Sequence, residues 1–233
     1  MKYLILIILN IPIYNFYICQ SLTLNNSFEL TISEPSDIFH SLENQTFYIV
    51  SDNGYLHQTS SNGEILKTSK FRGSDFEAVF SKDSIIYVVD EMFRIIHQFD
   101  INLELIKSIN LNYQGARNKA FESITYLPKR KSFLLITESD PILFREYDHN
   151  FILKNEFKYT KLADISSATY YKDYLYILSD EDRCIVKMSQ DFEEISRVMV
   201  PVINPEGLTF DSKGNLLIVS DNRSKLYSYS CIW

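Results

Sequence analysis

A phrase of roughly 42 residues recurs five times along this chain, and few folds accommodate such a period. Each copy has an acidic or Ser position, a small residue, an apolar pair, a turn, and an apolar run ending in an acid. The copies are EPSDIFHSLENQTFYIVSD (34–52), DFEAVFSKDSIIYVVDE (75–91), FESITYLPKRKSFLLITE (121–138), DISSATYYKDYLYILSD (164–180) and PEGLTFDSKGNLLIVSD (205–221). The starting anchors Ser36, Glu77, Glu122, Ser166 and Glu206 are spaced 41, 45, 44 and 40 residues apart. The closing anchors Asp52, Glu91, Glu138, Asp180 and Asp221 are spaced 39, 47, 42 and 41. Two independent anchor sets share one period.

Each copy reads as a hairpin, with turn residues HSLENQ, SKDS, LPKRKS, YKD and DSKGN. A third apolar run follows in every copy: GYLHQT, RIIHQFD, PILFREYD, CIVKMS and KLYSYS. A fourth follows in four copies only: GEILKTSKF, LELIKSIN, FILKNEFKY and EEISRVMV. Four short strands at this period are the signature of a β-propeller blade. The composition agrees, with 16 Tyr, 16 Phe and only 6 Gly. The prediction is an all-β, five-bladed propeller with blades starting near residues 34, 75, 120, 164 and 204. The last blade lacks its outer strand. Residues 22–32 (LTLNNSFELTI) alternate suitably to supply it and close the ring, which removes two open sheet edges.

Residues 1–21 form a separate unit. Lys2 precedes an apolar stretch from Tyr3 to Ile13, and Cys19-Gln20-Ser21 follows. Three readings fit: a signal cleaved after Ser21, a lipid anchor on Cys19, or an uncleaved anchor. All three place the propeller, residues 22–233, outside the cytoplasm, in the periplasm or at the cell envelope, with membrane contact only through the leader. Cys184 and Cys231 show no metal-binding spacing and read as small buried residues. The net charge of −7 argues against sequence-independent nucleic-acid binding, which needs a positive face.

The order of these motifs resembles the SdiA-regulated, or YjiK-like, family of bacterial β-propeller proteins. The residues that carry the resemblance are Glu34-Pro35-Ser36, Asp75-Phe76-Glu77-Ala78-Val79, Val89-Asp90-Glu91, Phe121-Glu122-Ser123, Thr137-Glu138-Ser139-Asp140-Pro141, Leu178-Ser179-Asp180-Glu181 and Pro205-Glu206-Gly207-Leu208. The resemblance implies a five-bladed propeller, exported or membrane-anchored, with a calcium site and no established enzymatic activity.

In a blade, the start of the first strand and the end of the second share a rim. Both anchor sets therefore fall on one mouth of the channel. Second strands end at Asp52, Glu91, Glu138, Asp180 and Asp221; first strands start at Glu77, Glu122 and Glu206; Glu34, Asp75 and Asp164 stand two residues earlier. Two like charges ~6 Å apart at an effective dielectric of ~20 repel by roughly 3 kcal/mol. A bound cation, retained protons or nearby arginines must offset this. Arg94, Arg183 and Arg223 follow acids closely, so a ring of structural salt bridges and backbone hydrogen bonds is one reading. The other is a hard cation held by oxygens, for which calcium, with 6–8 oxygen ligands at ~2.3–2.6 Å, fits better than magnesium. The expected ligands are Glu34, Glu77, Glu122, Asp164 and Glu206.

Such a mouth suits a non-catalytic binding module that takes a small anionic ligand or a protein partner. The alternative is a calcium-dependent hydrolase of lactones or esters, with a Glu as base and the cation as Lewis acid. His57 and His97 fall at matching third-strand positions and read as structural. His40 is expected in a first-hairpin turn on the opposite rim, and His149 in an outer turn. No histidine is placed near the acids.

Overall fold

The computed structural model describes residues 21–115 and 119–232. The expectations for residues 1–20, including Cys19, lie outside the described residues. All regular structure here is strand, in five antiparallel four-stranded sheets. The outer strand of the last blade is β1 (Ser21–Glu29). Blade one is β2 (Pro35–Ser41), β3 (Thr46–Ser51), β4 (Tyr55–Thr59) and β5 (Ile65–Thr68). Blade two is β6 (Phe76–Lys82), β7 (Ile85–Asp90), β8 (Ile95–Phe99) and β9 (Leu105–Asn110). Blade three is β10 (Phe121–Leu127), β11 (Ser132–Thr137), β12 (Leu143–Tyr147) and β13 (Leu153–Lys158). Blade four is β14 (Ser167–Tyr171), β15 (Tyr174–Ser179), β16 (Cys184–Met188) and β17 (Glu194–Met199). Blade five is β18 (Pro205–Phe210), β19 (Leu216–Ser220) and β20 (Lys225–Ile232), completed by β1.

The ring closes as the sequence predicts. β1 pairs antiparallel with β20 from Ser21↔Ile232 to Glu29↔Lys225. It ends sooner than expected: Leu30 and Ile32 leave the sheet and bury themselves between blades five and one. Those side chains are more useful packed across the seam than extended along an outer edge.

The core is divided among the five blade interfaces. Strand alternation does this directly, because side chains i and i+1 face opposite sides of a sheet. On β3, Tyr48 and Val50 pack toward blade two while Phe47 and Ile49 pack toward blade five. On β11, Phe133 and Leu135 face blade two while Leu134 and Ile136 face blade four. On β19, Leu216 and Ile218 face blade four while Leu217 and Val219 face blade one. Inner strands with both faces covered read as continuous apolar runs, which is how they appear in the sequence. Cys184 is a free thiol buried between blades three and four.

Two histidines are structural, as their periodicity suggested. Nδ1 of His57 meets Thr68 Oγ1 at 2.9 Å, and Nδ1 of His97 meets Ser108 Oγ at 2.8 Å, each from third strand to fourth. His149 lies in the turn between β12 and β13. His40 departs from expectation. It lies within β2, paired with Phe47 and buried, because its ring stacks on Phe47 instead of entering the turn.

Candidate metal centre

The first strands bend where the acids need to turn inward. The pairing of β2 with β3 skips a residue between Pro35 and Asp37; that of β6 with β7 skips one between Phe76 and Ala78. The same shift falls between Phe121 and Ser123, and between Pro205 and Gly207. A bulged residue opposes no partner and its side chain is re-aimed. The bulged residues are Ser36, Glu77, Glu122 and Glu206, and in blade four Ser166 occupies the matching strand entry. These are the five starting anchors of the repeat.

The closing anchors come next to them. Asp52, Glu91, Glu138, Asp180 and Asp221 each directly follow the last residue of a second strand. Backbone bonds hold three of them beside the first strands: Asp52 N–H donates to Glu34 O (3.1 Å), Glu91 N–H to Asp75 O (2.9 Å), and Glu138 N–H to Ala120 O (3.0 Å). The result is a cavity of about 400 Å³ at one mouth of the channel. Eleven carboxylates line it: Asp52, Asp75, Glu77, Glu91, Glu122, Glu138, Asp164, Asp180, Glu181, Glu206 and Asp221.

Within this mouth the acids converge on one side. Asp75, Glu77 and Glu91 place oxygens within 4.8 Å of one another, and so do Glu91, Glu122 and Glu138. Glu91 belongs to both groups. It is 3% exposed and fixed by Ala120 of the next blade, whose N–H donates to its Oε1 at 2.5 Å.

The electrostatics are those of confined like charges, with cations acting only at a distance, Lys119 on Glu138 and Arg183 on Asp180. Burial holds the Glu77 carboxyl well above the usual range, reinforced by the charges of Asp52, Asp75 and Glu91. Burial does the same to Glu122, with Glu77, Glu91, Glu138 and Glu206 adding to it. Glu91 is pushed up to about 7, mostly by burial and despite the bond from Ala120. Glu206 is pushed up to about 8 and Asp52 to about 6, again chiefly by burial and then by neighbouring acids. Of the structural alternative, backbone hydrogen bonds do form at Glu91 and Asp164, but the salt bridges are missing among the described residues. No Lys or Arg nitrogen lies within 4.0 Å of any of the eleven carboxylates. Arg94 instead donates to Gly115 O at 2.5 Å and stacks on Tyr113.

The five expected ligands fare differently. Glu77 and Glu122 sit in the two convergent groups. Glu206 lines the same cavity from blade five. Asp164 is in the wall, but its oxygens accept bonds from Ser179 and Ser166 hydroxyls and from the N–H groups of Asp180 and Glu181 at 3.2 Å. It organises the rim of blade four. Glu34 is exposed and does not line the cavity. Asp75, Glu91 and Glu138 join Glu77 and Glu122 instead.

One buried acid beneath the site escaped the sequence reading. Asp37 stands one layer below the bulges, where the other blades carry Ala78, Ser123, Ser167 and Gly207. It accepts from Val79 N–H (2.9 Å) and Ser167 Oγ (2.9 Å), so it ties blade one to blades two and four across the channel. Burial pushes its carboxyl up to about 8, despite those bonds. Gly207 makes room for it: a Cβ there would lie 2.6 Å from the Asp37 Cα. The signal available was a lone acid in a column of small residues.

The donor set is all oxygen and all carboxylate at the point of convergence, which is the chemistry of a hard divalent cation. Asp75, Glu77, Glu91, Glu122 and Glu138 are the residues that would hold it.

The fold matches solved propeller structures. The crystal structure of a glutaminyl cyclase from Myxococcus xanthus superposes with a TM-score of 0.73 and 10% identity, over 91% of this chain and 97% of that one. At that identity the likeness concerns the fold. A search of curated proteins returns no match to this sequence. The family model of the SdiA-regulated proteins matches residues 25–229, from within β1 to within β20. The chain belongs to the SdiA-regulated family.

Proposed function

We propose that this chain is an exported, non-catalytic binding module whose acidic channel mouth holds calcium. One observation carries the reading: two groups of three carboxylates, each within 4.8 Å, share Glu91, and no described basic side chain pairs with them. A divalent cation would relieve their mutual repulsion and leave coordination positions open toward solvent. A small anionic ligand or an acidic group of a protein partner would dock through that cation. The export part of the reading rests on Lys2, the apolar run from Tyr3 to Ile13, and Cys19-Gln20-Ser21.

Binding is favoured over lactone or ester hydrolysis by where the histidines lie. Nδ1 of His57 and of His97 is engaged with a fourth-strand hydroxyl, and His40 lies near the far end of β2. His97 comes nearer the acids than the sequence suggested, with Nε2 3.7 Å from Asp90, but neither residue lines the acidic cavity. A proton-transfer partner at the mouth would have to be one of the carboxylates that the cation needs.

Calorimetric titration of metal-stripped protein with calcium, then magnesium, tests the proposal. Calcium should bind in preference to magnesium, and Glu91→Gln should weaken it at least about tenfold, since both groups lose a shared ligand. Titration heats no larger than dilution would contradict the reading.

A further inference from the structure

A second cavity, of about 400 Å³, lies on the opposite face, at the seam where the ring closes. It is lined from β1, from blade one and from blade five. Its volume is within the ~300–1,000 Å³ of small-molecule sites. Its polar groups are unusually available. The side chains of Asn26, Ser61 and Ser228 make no hydrogen bond to another described residue, although Ser228 is only 9% exposed. Phe28 and the Phe47 ring supply apolar wall.

His40 is set up as an acceptor in this wall. Its Nδ1 meets Phe210 O at 3.1 Å, and a carbonyl only accepts, so Nδ1 carries the hydrogen. Nε2 is then the bare nitrogen, and no described residue bonds to it. Burial lowers the imidazole's affinity for a proton, which keeps the ring neutral. The ring is fixed by stacking on Phe47, with centroids 4.2 Å apart and planes 10° apart. The chain also bends at this place: β1 carries a bulge between Leu24 and Asn26, and the bulged Asn25 contacts Asn215 (3.4 Å) and Ser230 (2.9 Å) across blade five.

Two charged side chains line the cavity: Lys213, which is exposed, and Asp211, whose charge is already satisfied. The carboxylate of Asp211 is saturated by Lys213 N–H (2.9 Å), Asn215 N–H (2.8 Å) and the Asn215 amide (2.7 Å). What remains is one fixed acceptor, the Asn26 amide, the hydroxyls of Ser61, Ser212 and Ser228, the Lys213 ammonium as a donor, and aromatic wall. A sugar ring matches this set: its hydroxyls donate and accept, and its C–H face packs on aromatic surface. We propose that this seam cavity is a saccharide-binding site, with His40 Nε2 accepting a ligand hydroxyl. It is independent of the cation at the other mouth. Because it touches both ends of the closed ring, an occupant would bridge β1 and blade one.

The test is a titration of the full chain with glucose, galactose and N-acetylglucosamine, followed by nitrogen NMR of the His40 imidazole. At least one sugar should bind saturably below about 50 mM and shift the Nε2 resonance alone. Ser61→Trp, an exposed position that fills the cavity without touching the core, should abolish binding. Asn26→Ala should weaken it by about fivefold. Sugar binding that survives Ser61→Trp, an Nε2 signal that does not move, or no saturation with any of the three would overturn the proposal.

Discussion

The two mouths of one channel are built from the same ten strands and have opposite chemistry. At one mouth, first-strand bulges turn Glu77, Glu122 and Glu206 inward against second-strand acids. At the other, the first strands run on without a bulge, and Phe39, Tyr171 and Phe210 line a cavity of about 250 Å³. Its polar groups are largely satisfied in place. Thr209 Oγ1 accepts from His40 N–H (3.1 Å), and just inside it Thr125 Oγ1 accepts from Tyr170 N–H (3.2 Å). Phe210 stacks on Tyr171 with ring centroids 4.3 Å apart. The aromatic mouth is finished by its own packing, whereas the acidic mouth is held together against its own charge. The difference teaches that one end of the channel is closed by packing, while the other keeps its charge available for a cation.

The largest effect expected from breaking this contrast is at the aromatic end. Phe210→Ala should cost about 3–5 kcal/mol in chemical denaturation, because a 4% exposed ring leaves a cavity between blades four and five. Calcium should not alter that loss. At the acidic end the sign reverses. Glu77→Gln with Glu122→Gln should stabilise the metal-free protein by roughly 1–3 kcal/mol while removing calcium binding, because the pair contributes repulsion until a cation arrives. Smaller effects separate the acids from one another. Asp164→Asn should cost about 1 kcal/mol with or without calcium, since an amide nitrogen would face hydroxyl and N–H donors. Glu34→Gln should change stability by less than about 0.5 kcal/mol, as expected for an exposed side chain.

Much of this was legible before any coordinates. The repeat places every first strand within about three residues of its true start, because blades share one packing problem and solve it with one pattern. The ring closure was legible too, from a missing strand at one end and a spare one at the other. The acidic mouth follows from strand order alone. Which acids meet within it does not. Glu91 is drawn inward by a backbone N–H of the neighbouring blade, and Asp164 is drawn aside by Ser179 and Ser166. Neither depends on spacing within a repeat. Asp37 was hidden for a related reason: its partners Val79 and Ser167 lie 42 and 130 residues away. His40 was misplaced because the strand runs two residues further than expected, through Ser41, with the ring stacked on Phe47.

The most direct test of the central claim is a thermal melt of metal-stripped protein at pH 5 and pH 8, with and without calcium. Unfolded carboxyls titrate near ~4. Glu91 and Glu206 are raised to about 7 and 8 in the fold, and Glu77 and Glu122 are raised as well. The folded chain therefore binds more protons than the unfolded one between these limits. The stability that these four groups contribute is full below about pH 4 and is lost as pH rises through the folded values. The account predicts a lower midpoint at pH 8 than at pH 5 without metal. Calcium at ~100 times its dissociation constant should restore about 2.7 kcal/mol at pH 8, a rise of roughly 5–10 °C, and do much less at pH 5. Equal midpoints at both pH values, with no response to calcium, would contradict it.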